Sequence, residues 1–433
     1  MINILHICAH LGGGIGTAYA GMLAGTRSLG LDITHSFLLM EKPIDKANLN
    51  KIVELGGQVY IHHDPEISTG LVRNADIVSI GWWHHPALYR FVVELNEIPC
   101  RLIVWSHVSG CDYPYLNVNF LGLCDKLLLT TFYSYENNEL KKMNSQHLDE
   151  KTKVVYGLGN YNRYLALEKQ EHYGFNIGYI GTVSFAKIHP DIEDYCAEVD
   201  VDNVSFIFVG KDDISRFIKN KALLKKMKFP GFTDRPWEVM QTFDVFGYLL
   251  SPNHYGSTEN ALLEAMASGI VPIALDQSVE RYIIKHGETG FIVKSPGEYG
   301  DVVRYLHDNP HIRKKIGQNA RQTILDKFDI KKNVLNLQEV YQQMLLKPKC
   351  KRNFLSAFGD EPFSWFLFGM NTLDKEKMYS ILTQDKHEDI VKTLPKIYFQ
   401  KSKGSIFHFA GYFPECEKLN VILEKIKNIE GSG

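Results

Sequence analysis

Residues 256–269 read GSTENALLEAMASG and follow an apolar run at 245–250 and a Ser-Pro-Asn turn. The first three residues of the stretch are small, and they predict a helix start whose backbone N–H groups stay open. Such a helix start carries partial positive charge, so it binds phosphate readily. Glu264 lies further along the same predicted helix, where a carboxylate can reach sugar hydroxyls. Phosphate and sugar together indicate a nucleotide-sugar site.

A purely structural interpretation of these residues stays open. Ser257 or Thr258 could act as the N-cap, with Glu259 as a first-turn acid that faces the helix dipole. The apolar residues of the stretch would then be ordinary core. Glu264 fits this interpretation less well, because its neighbours on both sides are apolar and a carboxylate among them needs a partner.

The composition of the whole chain limits the classes of protein to consider. Its 433 residues are enough for two domains plus additional material, and 45% of them are hydrophobic. A net charge of -2 gives no general attraction to nucleic acid or anionic membranes. The seven cysteines are scattered without a CxxC pair, which indicates thiols in a reducing compartment. Because we find no signal-like N-terminus and no long apolar run, we expect a cytoplasmic protein without a transmembrane segment.

Short apolar runs alternate with amphipathic stretches over about the first 300 residues. This alternation predicts parallel sheets that helices cover on both faces. The polar stretch 157–173 predicts a linker between two consecutive doubly wound domains, each with its ligand loops at the carboxyl ends of its strands. The predicted strands are 2–8, 34–40, 77–81, 102–105, 126–130 and 154–156 in the first half, and 176–180, 205–209, 246–250, 271–275 and 291–293 in the second.

We therefore predict an α/β protein with two doubly wound, Rossmann-like domains facing a cleft and an additional C-terminal extension. The first domain covers residues 1–165 and the second covers 166–330. A helical stretch at 331–347 follows, and an aromatic-rich extension occupies 348–433. We expect the extension to pack onto the second domain; a small accessory domain, or a surface for an acceptor or a partner, is the alternative.

The loop after the first strand, residues 9–17, reads AHLGGGIGT and places Gly13 and Gly14 at a helix start. Glycines let a backbone approach a ligand closely, and the helix start supplies donors. Thr17 stands where a dinucleotide fingerprint needs its third glycine, so a nicotinamide or flavin fold is disfavoured. A tight turn without a ligand is the alternative.

His107 follows the strand predicted at 102–105, at a position where open α/β sheets present side chains to ligands. A lone histidine is also often structural, and that alternative stays open. His10, His84 and His85 occupy similar strand ends and are weaker candidates.

The strand predicted at 176–180 ends at Gly181, and Thr182 and Lys187 follow in the next loop. A lysine beside a diphosphate neutralises charge that grows as the bond to the sugar breaks. A solvated loop lysine is the alternative.

Further candidates in the second half have weaker support. Gly210 ends the next predicted strand, and Phe232 and Arg235 precede another helix, where they could hold a base edge and supply a cation. Asp212 and Asp213 indicate a helix start rather than a metal pair. With no DxD motif at a strand end, we expect no metal site and no cofactor.

In this order and at these spacings, the motifs resemble those of the GT-B glycosyltransferases of the retaining family 4 group, over roughly residues 1–346. Members of that group have a glycine loop after the first strand, a histidine after a mid-domain strand, a Gly-Arg…Lys segment that opens the second domain, and Glu-x7-Glu before Ala-Met-Ala-x-Gly. The matching positions here are residues 12–16, His107, Gly181 to Lys187, and the segment that ends in Glu264-Ala-Met-Ala-Ser-Gly269.

The resemblance implies transfer of a sugar from a nucleoside-diphosphate sugar, a UDP-sugar above all, to a hydroxyl acceptor that sits against the first domain. It also implies retention of configuration and no need for a divalent metal. Glu264 would bind the ribose, Lys187 the diphosphate and His107 the transferred sugar. The implied catalytic residues are His107, Lys187 and Glu259. The implied donor-binding residues are Gly13, Gly14, Gly181, Thr182, Lys187, Gly210, Phe232, Arg235, Gly256, Ser257, Thr258, Glu259, Asn260 and Glu264.

Two positions depart from the family pattern. Gly256 stands where the first acid of Glu-x7-Glu belongs, with Glu259 as the nearest substitute, and Thr182 replaces the usual arginine after Gly181. The departures leave the donor sugar open and keep two alternatives, a GT-B-fold sugar-nucleotide epimerase and a nucleotide-sugar-binding pseudoenzyme. The acceptor, whether glycan or small molecule, and the oligomeric state stay open as well.

Overall fold

A computed structural model describes residues 1–42, 46–62, 64–211, 214–252, 256–384 and 388–430. The chain divides into two compact units. The first unit combines Met1–Leu158 with Asn333–Gly433, and the second unit is Gly159–Lys332. No helix among the described residues is both long and apolar enough to cross a membrane.

The first unit contains a parallel sheet of seven strands. The strands are β1 (Ile2–Cys8), β2 (Ile33–Leu39), β3 (Gln58–Ile61), β4 (Ile77–Trp82), β5 (Leu102–Ser106), β6 (Lys126–Leu129) and β7 (Thr152–Val154). The helices between them are α1 (Gly13–Ser28), α2 (Ala47–Glu54), α3 (Pro65–Asn74), α4 (Pro86–Glu94), α5 (Asn119–Leu123), α6 (Asn138–Lys141) and α7 (Ser145–Lys151). Every residue of β4 is buried, as expected for a central parallel strand that is covered on both faces.

The second unit contains a parallel sheet of six strands. These are β8 (Phe175–Ile180), β9 (Val204–Val209), β10 (Met227–Gly231), β11 (Val245–Tyr248), β12 (Val271–Leu275) and β13 (Phe291–Val293). Its helices are α8 (Asn162–Leu165), α9 (Ile192–Ala197), α10 (Lys221–Leu224), α11 (Pro236–Met240), α12 (Asn260–Ala267), α13 (Glu280–Ile283), α14 (Pro296–Asp308) and α15 (Pro310–Lys327).

The order of the strands determines where each sheet can bind a ligand. The first sheet runs β3-β2-β1-β4-β5-β6-β7, and the second runs β10-β9-β8-β11-β12-β13. In each sheet the chain winds outward in one direction and then in the other, with the change between β1 and β4 or between β8 and β11. Ligands of open α/β sheets bind at the carboxyl ends of the two strands that flank this switch point.

At the margins of the sheets, the apolar pattern of the sequence does not predict every strand or its bounds. It does not predict β3 or β10, which are edge strands whose residues are exposed or half-buried apart from Met227, and whose apolar runs are short or broken. The strand predicted at 154–156 is Thr152–Val154 in the structure. The segment 157–173 is not only a linker, because it contains the short helix α8.

The chain returns to the first unit through the helix α16 (Ile330–Leu345). The remaining helices are α17 (Phe354–Phe358), α18 (Pro362–Phe368), α19 (Thr372–Thr383), α20 (Glu388–Thr393), α21 (Ile406–Tyr412) and α22 (Glu417–Glu430). On α16, the Tyr341 hydroxyl lies 3.8 Å from Met22 Sδ of α1.

The expected packing of the C-terminal extension onto the second domain is wrong, because its aromatic residues complete the core of the first unit. Trp82 of β4 stacks on Phe358 with ring centroids 5.9 Å apart. Tyr89 of α4 stacks on Trp365 at 6.3 Å. These large rings bury apolar area that the helices of the N-terminal half leave uncovered.

Candidate functional site

Beside the β8/β11 switch point of the second unit, the backbone segments that follow β8 and β9 are in close contact. The Gly181 N–H that follows β8 donates to the Val209 carbonyl at 3.0 Å. A Cβ atom on Gly210 would lie 1.9 Å from the Gly181 carbonyl oxygen. Gly210 therefore has to be glycine for the two strand ends to meet.

Lys187 is held by its backbone at the end of the loop that follows β8. Its N–H donates to the Ser184 carbonyl at 2.9 Å, and its own carbonyl accepts from the Ser251 N–H at 2.8 Å. The Nζ atom lies 3.1 Å from Glu259 Oε2, with the lysine side chain 27% exposed and the glutamate side chain 3% exposed. The loop thus presents a partly accessible ammonium at the strand ends.

Glu259 occupies a strained position directly before α12. Its φ of 47° and ψ of 60° are left-handed, and such angles in a residue other than glycine cost about 1–3 kcal/mol. Its carboxylate also accepts a hydrogen bond from the Tyr248 hydroxyl at the end of β11. Burial and the charge of Glu259 raise the pKa of Tyr248 well above its usual value, so this hydroxyl stays protonated and donates.

The start of α12 differs from both sequence interpretations. The helix begins at Asn260 with Glu259 as N-cap, so Ser257 and Thr258 lie before the cap and Glu259 is not a first-turn acid. The left-handed backbone of Glu259 places the helix start later than the sequence suggests. The side chain of the N-cap residue Glu259 forms no cap hydrogen bond, and the first turn contains no acidic residue. The first backbone N–H groups of a helix have no partner within the helix itself.

Glu264 lies within α12 and has a tyrosine as its partner. The Tyr164 hydroxyl of α8 donates to the carboxyl group, and burial raises the pKa of Glu264 to about 7. The group therefore titrates near neutrality and can both donate and accept hydrogen bonds. Nothing in the sequence around Tyr164 indicates this role, because the residue lies in a polar segment without apolar periodicity.

Two other predicted residues lie at the margin of the second sheet. Phe232 and Arg235 follow the edge strand β10, two strands away from β8 in the sheet order. Phe232 is 81% exposed, and Arg235 pairs with Glu238 at 2.9 Å on the surface. Thr182 follows Gly181, and its carbonyl accepts from the Tyr179 hydroxyl at 3.1 Å. Asp212 and Asp213 lie outside the described residues.

The β1/β4 switch point of the first unit carries the glycine loop. The 16-residue helix α1 begins at Gly13, whose φ of 60° suits glycine, and its N-cap Gly12 offers no side chain. The Gly12 N–H donates to His10 Nδ1 at 3.0 Å. Gly14 stands in the first turn, where the backbone N–H groups have no partner within the helix.

His107 follows β5 and packs against aromatic rings. Its N–H donates to the Trp82 carbonyl at 2.8 Å, and its ring lies 4.8 Å from that of Trp105 and 5.9 Å from that of Tyr19. Burial lowers the pKa of His107 to about 3, so the ring is neutral at pH 7. A neutral imidazole here can hydrogen-bond but cannot serve as a charged acid.

The described part of the chain contains no group of three or more His, Cys, Asp or Glu side chains arranged to hold a metal ion. The seven cysteines are all free thiols.

Comparison with known proteins identifies the fold. Residues 167–323 match the family model described as glycosyl transferases group 1. Over 139 residues, the chain is 25% identical to N-acetyl-alpha-D-glucosaminyl L-malate synthase of Bacillus anthracis, a match that covers 31% of this chain and 35% of that protein. The chain thus spans about a third of the length of the curated relatives it matches.

Solved structures match over a larger part of the chain. Anabaena HepE in complex with UDP superimposes with a TM-score of 0.64 and 15% identity, over 79% of this chain and 100% of that one. The structure of the same protein with UDP-glucose superimposes with a TM-score of 0.63, at the same identity and coverage. A glycosyltransferase from Rickettsia africae ESF-5 superimposes with a TM-score of 0.63 and 16% identity, over 80% of this chain and 99% of that one. The prediction of two Rossmann-like domains of the GT-B fold, with a helical C-terminal region, is confirmed.

Proposed function

We propose that this chain is a retaining glycosyltransferase that moves a sugar from a UDP-sugar to a hydroxyl acceptor without a divalent metal. The observation that carries the proposal is the cluster of Lys187, Glu259 and Tyr248 at the β8/β11 switch point, beside the uncapped start of α12. Two further findings support it. The family match covers these residues, and the structurally similar HepE was solved with UDP and with UDP-glucose.

The donor diphosphate is assigned to Lys187 and to the first turn of α12, which begins at Asn260. The helix supplies backbone donors, and its dipole favours an anion at this end. The ammonium of Lys187 has three hydrogens, so it can serve Glu259 and a phosphate oxygen together. Gly13 and Gly14, at the start of α1, are assigned to the distal phosphate.

The nucleoside is assigned to Glu264, with the ribose hydroxyls as its partners. A carboxyl group that titrates near pH 7 can donate to one hydroxyl and accept from the other. Phe232 offers an exposed ring for the base, and Arg235 is the additional cation of the same region.

The transferred sugar is assigned to Glu259 and to the neutral ring of His107. Glu259 supplies the carboxylate that Gly256 lacks, from a position three residues later in the chain. Its left-handed backbone is the local change that lets the acid point into the cluster with Lys187.

In the reaction, the bond between the anomeric carbon and the diphosphate oxygen breaks, and the bond to the acceptor oxygen forms on the same face. The acceptor proton passes to an oxygen of the departing phosphate. Lys187 and the N–H groups of α12 stabilise the charge that grows on this leaving group. We place the protein in the cytoplasm, because all seven of its cysteines are free thiols.

The test begins with calorimetric titration of the full chain with UDP, GDP and ADP. We expect UDP to bind more tightly than the other two nucleotides. A panel of UDP-sugars then identifies the donor, and NMR of the product gives the configuration at the anomeric carbon. We expect retention, and the same turnover with EDTA as with added Mg²⁺ or Mn²⁺.

Each part of the proposal has its own contrary result. Tighter binding of GDP or ADP contradicts the UDP assignment, and inversion contradicts the stereochemistry. Loss of turnover in EDTA that a divalent ion restores contradicts metal independence. Conversion of the donor without any acceptor identifies an epimerase, and donor binding without turnover identifies a pseudoenzyme.

A further inference from the structure

We propose that the C-terminal extension completes an anion-binding acceptor site at the β1/β4 switch point of the first unit, so that the acceptor carries a carboxylate or a phosphate. The site consists of His10, Trp83, His85, Lys403 and His408, which we call the switch-point cluster. The inference rests on the proposed function, because an acceptor exists only if the protein transfers a sugar.

The switch-point cluster lies at the carboxyl edge of the first sheet. His10 follows β1, and Trp83 and His85 follow β4, so three of the five residues lie at the ends of the two strands that flank the switch point. This is where open α/β sheets bind ligands. The other two residues, Lys403 and His408, lie in the C-terminal extension.

Direct contacts join the extension to the strand ends. Lys403 Nζ lies 3.0 Å from His10 Nε2 and 5.2 Å from the centroid of the Trp83 ring. The His408 ring stacks on Trp83 with an interplanar angle of 18° and meets His85 edge-on at 4.7 Å. The extension thus contributes a cation and an imidazole to the carboxyl edge of the sheet.

The hydrogen bonds of the three histidines fix which ring nitrogen carries the proton. In each ring Nδ1 accepts a backbone N–H, from Gly12 to His10, from Ala87 to His85 and from Gly404 to His408, at 3.0, 3.2 and 2.9 Å. Burial lowers the pKa of His10 and of His408 to about 4, so both rings are neutral at pH 7. A neutral ring whose Nδ1 accepts must carry its hydrogen on Nε2.

The cluster therefore has more donors than acceptors. His85 Nε2 lies 3.3 Å from Glu41 Oε1 and donates to it. His10 Nε2–H instead lies 3.0 Å from the ammonium of Lys403, so two donors meet there without an acceptor. One oxygen within hydrogen-bond distance of both nitrogens would accept from the two. Among the described residues, Lys403 forms no ion pair with an acid.

Trp83 supplies an independent observation. Its side chain is inside the cluster and the residue is 7% exposed, yet Nε1 has no hydrogen-bond partner in the described part of the chain. A buried N–H without an acceptor costs free energy, so such groups usually mark a bound ligand or water. An anion bound in the cluster would accept from Trp83, from Lys403 and from the imidazole of His10, whereas His85 already donates to Glu41.

The experiment uses two simple anions, inorganic phosphate and malonate, titrated calorimetrically into the full chain at constant ionic strength, with and without UDP. Lys403→Ala should weaken both anions about tenfold or more, because a charge-assisted hydrogen bond is lost. Lys403→Arg should restore most of the affinity. The matched control is Lys401→Ala, because Lys401 lies on the same exposed segment and its ammonium contacts the Phe407 ring. This variant should bind both anions with unchanged affinity.

Trp83→Phe provides a second test, since it keeps a ring and removes the N–H donor. We expect weaker binding of both anions and an unchanged affinity for UDP, which also shows that the variant is folded. Failure of the unaltered protein to bind either anion, or equal binding by Lys403→Ala, would overturn the proposal.

The same titrations separate the sources of the anion. If Lys403→Ala weakens UDP as much as it weakens malonate, the cluster serves the donor phosphates and the acceptor assignment is overturned. If the unaltered protein binds malonate or phosphate but no nucleotide, the anion site stands and the proposed function fails.

Discussion

Lys187 and Glu259 form a partly buried ion pair, with Nζ and Oε2 3.1 Å apart at the β8/β11 switch point. The carboxylate is almost fully enclosed and has Tyr248 as a second donor. Neutralising either member leaves the other charge without its partner in a poorly hydrated place. The pair therefore links the stability of the second unit to the proposed chemistry.

Glu259→Gln should lower the free energy of unfolding by about 1–3 kcal/mol, because Lys187 loses its counter-charge while the side chain keeps its shape. Urea unfolding measures the change. The control is Glu288→Gln, whose pair with Lys285 is exposed on both sides and should contribute less than about 0.5 kcal/mol. Equal losses in the two variants would show that the Lys187 pair has no special role.

Lys187→Ala should reduce kcat about 100-fold or more, with a much smaller rise in the Kd for the UDP-sugar. The reason is that its charge matters most when the leaving phosphate becomes more negative. Turnover assays and donor titrations are compared with those of Lys285→Ala, an exposed lysine of the same unit. A loss of binding as large as the loss of turnover would mean that Lys187 only anchors the donor.

Glu264→Ala should weaken UDP about 10- to 100-fold, since the ribose hydroxyls lose a strong hydrogen-bond partner. The affinity of Glu264→Gln for UDP should lie between those of Glu264→Ala and the unaltered protein, because an amide retains one donor and one acceptor. Calorimetry with UDP measures both variants. An unchanged affinity in Glu264→Ala would remove the carboxyl group from the nucleotide site.

The raised pKa of Glu264 predicts a dependence of stability on pH. Its folded pKa of about 7 is above the ordinary value of 4.5, so the native state holds the proton more tightly than the unfolded chain does. This group's contribution to stability therefore falls as pH rises from about 4.5 to about 7, by at most ~1.4 kcal/mol per pH unit.

Glu264→Gln should remove that contribution. Relative to the unaltered protein, the variant should gain stability as pH increases through the same interval and should gain no more above about pH 7. Urea unfolding at a series of pH values measures the difference. Parallel curves for the two proteins would contradict the raised pKa.

Gly210→Ala should destabilise the second unit by about 1–3 kcal/mol or more, because the new Cβ meets the backbone carbonyl of Gly181, which cannot rotate away. Gly297→Ala in α14 is the matched control, because beyond the adjacent residues and the helix's own backbone no atom lies within 4 Å of the new Cβ. It should be neutral or slightly stabilising. Denaturant unfolding of the two variants gives the comparison, and similar values for both would refute the close approach.

Sequence reasoning predicts the parts of this molecule that repeat a local pattern. Buried parallel strands have continuous apolar runs, so their ends, and with them Gly181, Lys187 and His107, can be located from the chain alone. The edge strands β3 and β10 have only short or broken apolar runs, and most of their residues are exposed or half-buried. These two strands are absent from the prediction because only strands that are buried on both faces require a long apolar run.

The residues that sequence reasoning misses are those whose partners are distant in the chain. Tyr164 is relevant only because α8 packs beside Glu264, and Tyr248 only because Glu259 adopts a left-handed backbone. Lys403 meets His10 across almost the full length of the chain. No local periodicity encodes such pairs, since tertiary packing alone creates them.

The interrupted first unit has a consequence for the order in which the protein is made. The second unit is one continuous segment, so all of its residues are available while the first unit still lacks α17 to α22. Until those helices are synthesised, the ring faces of Trp82 and Tyr89 that pack on Phe358 and Trp365 have no partner. The N-terminal part of the nascent chain then exposes apolar surface. The core of the first unit therefore cannot be completed before its C-terminal helices are synthesised, whereas the second unit has no such requirement.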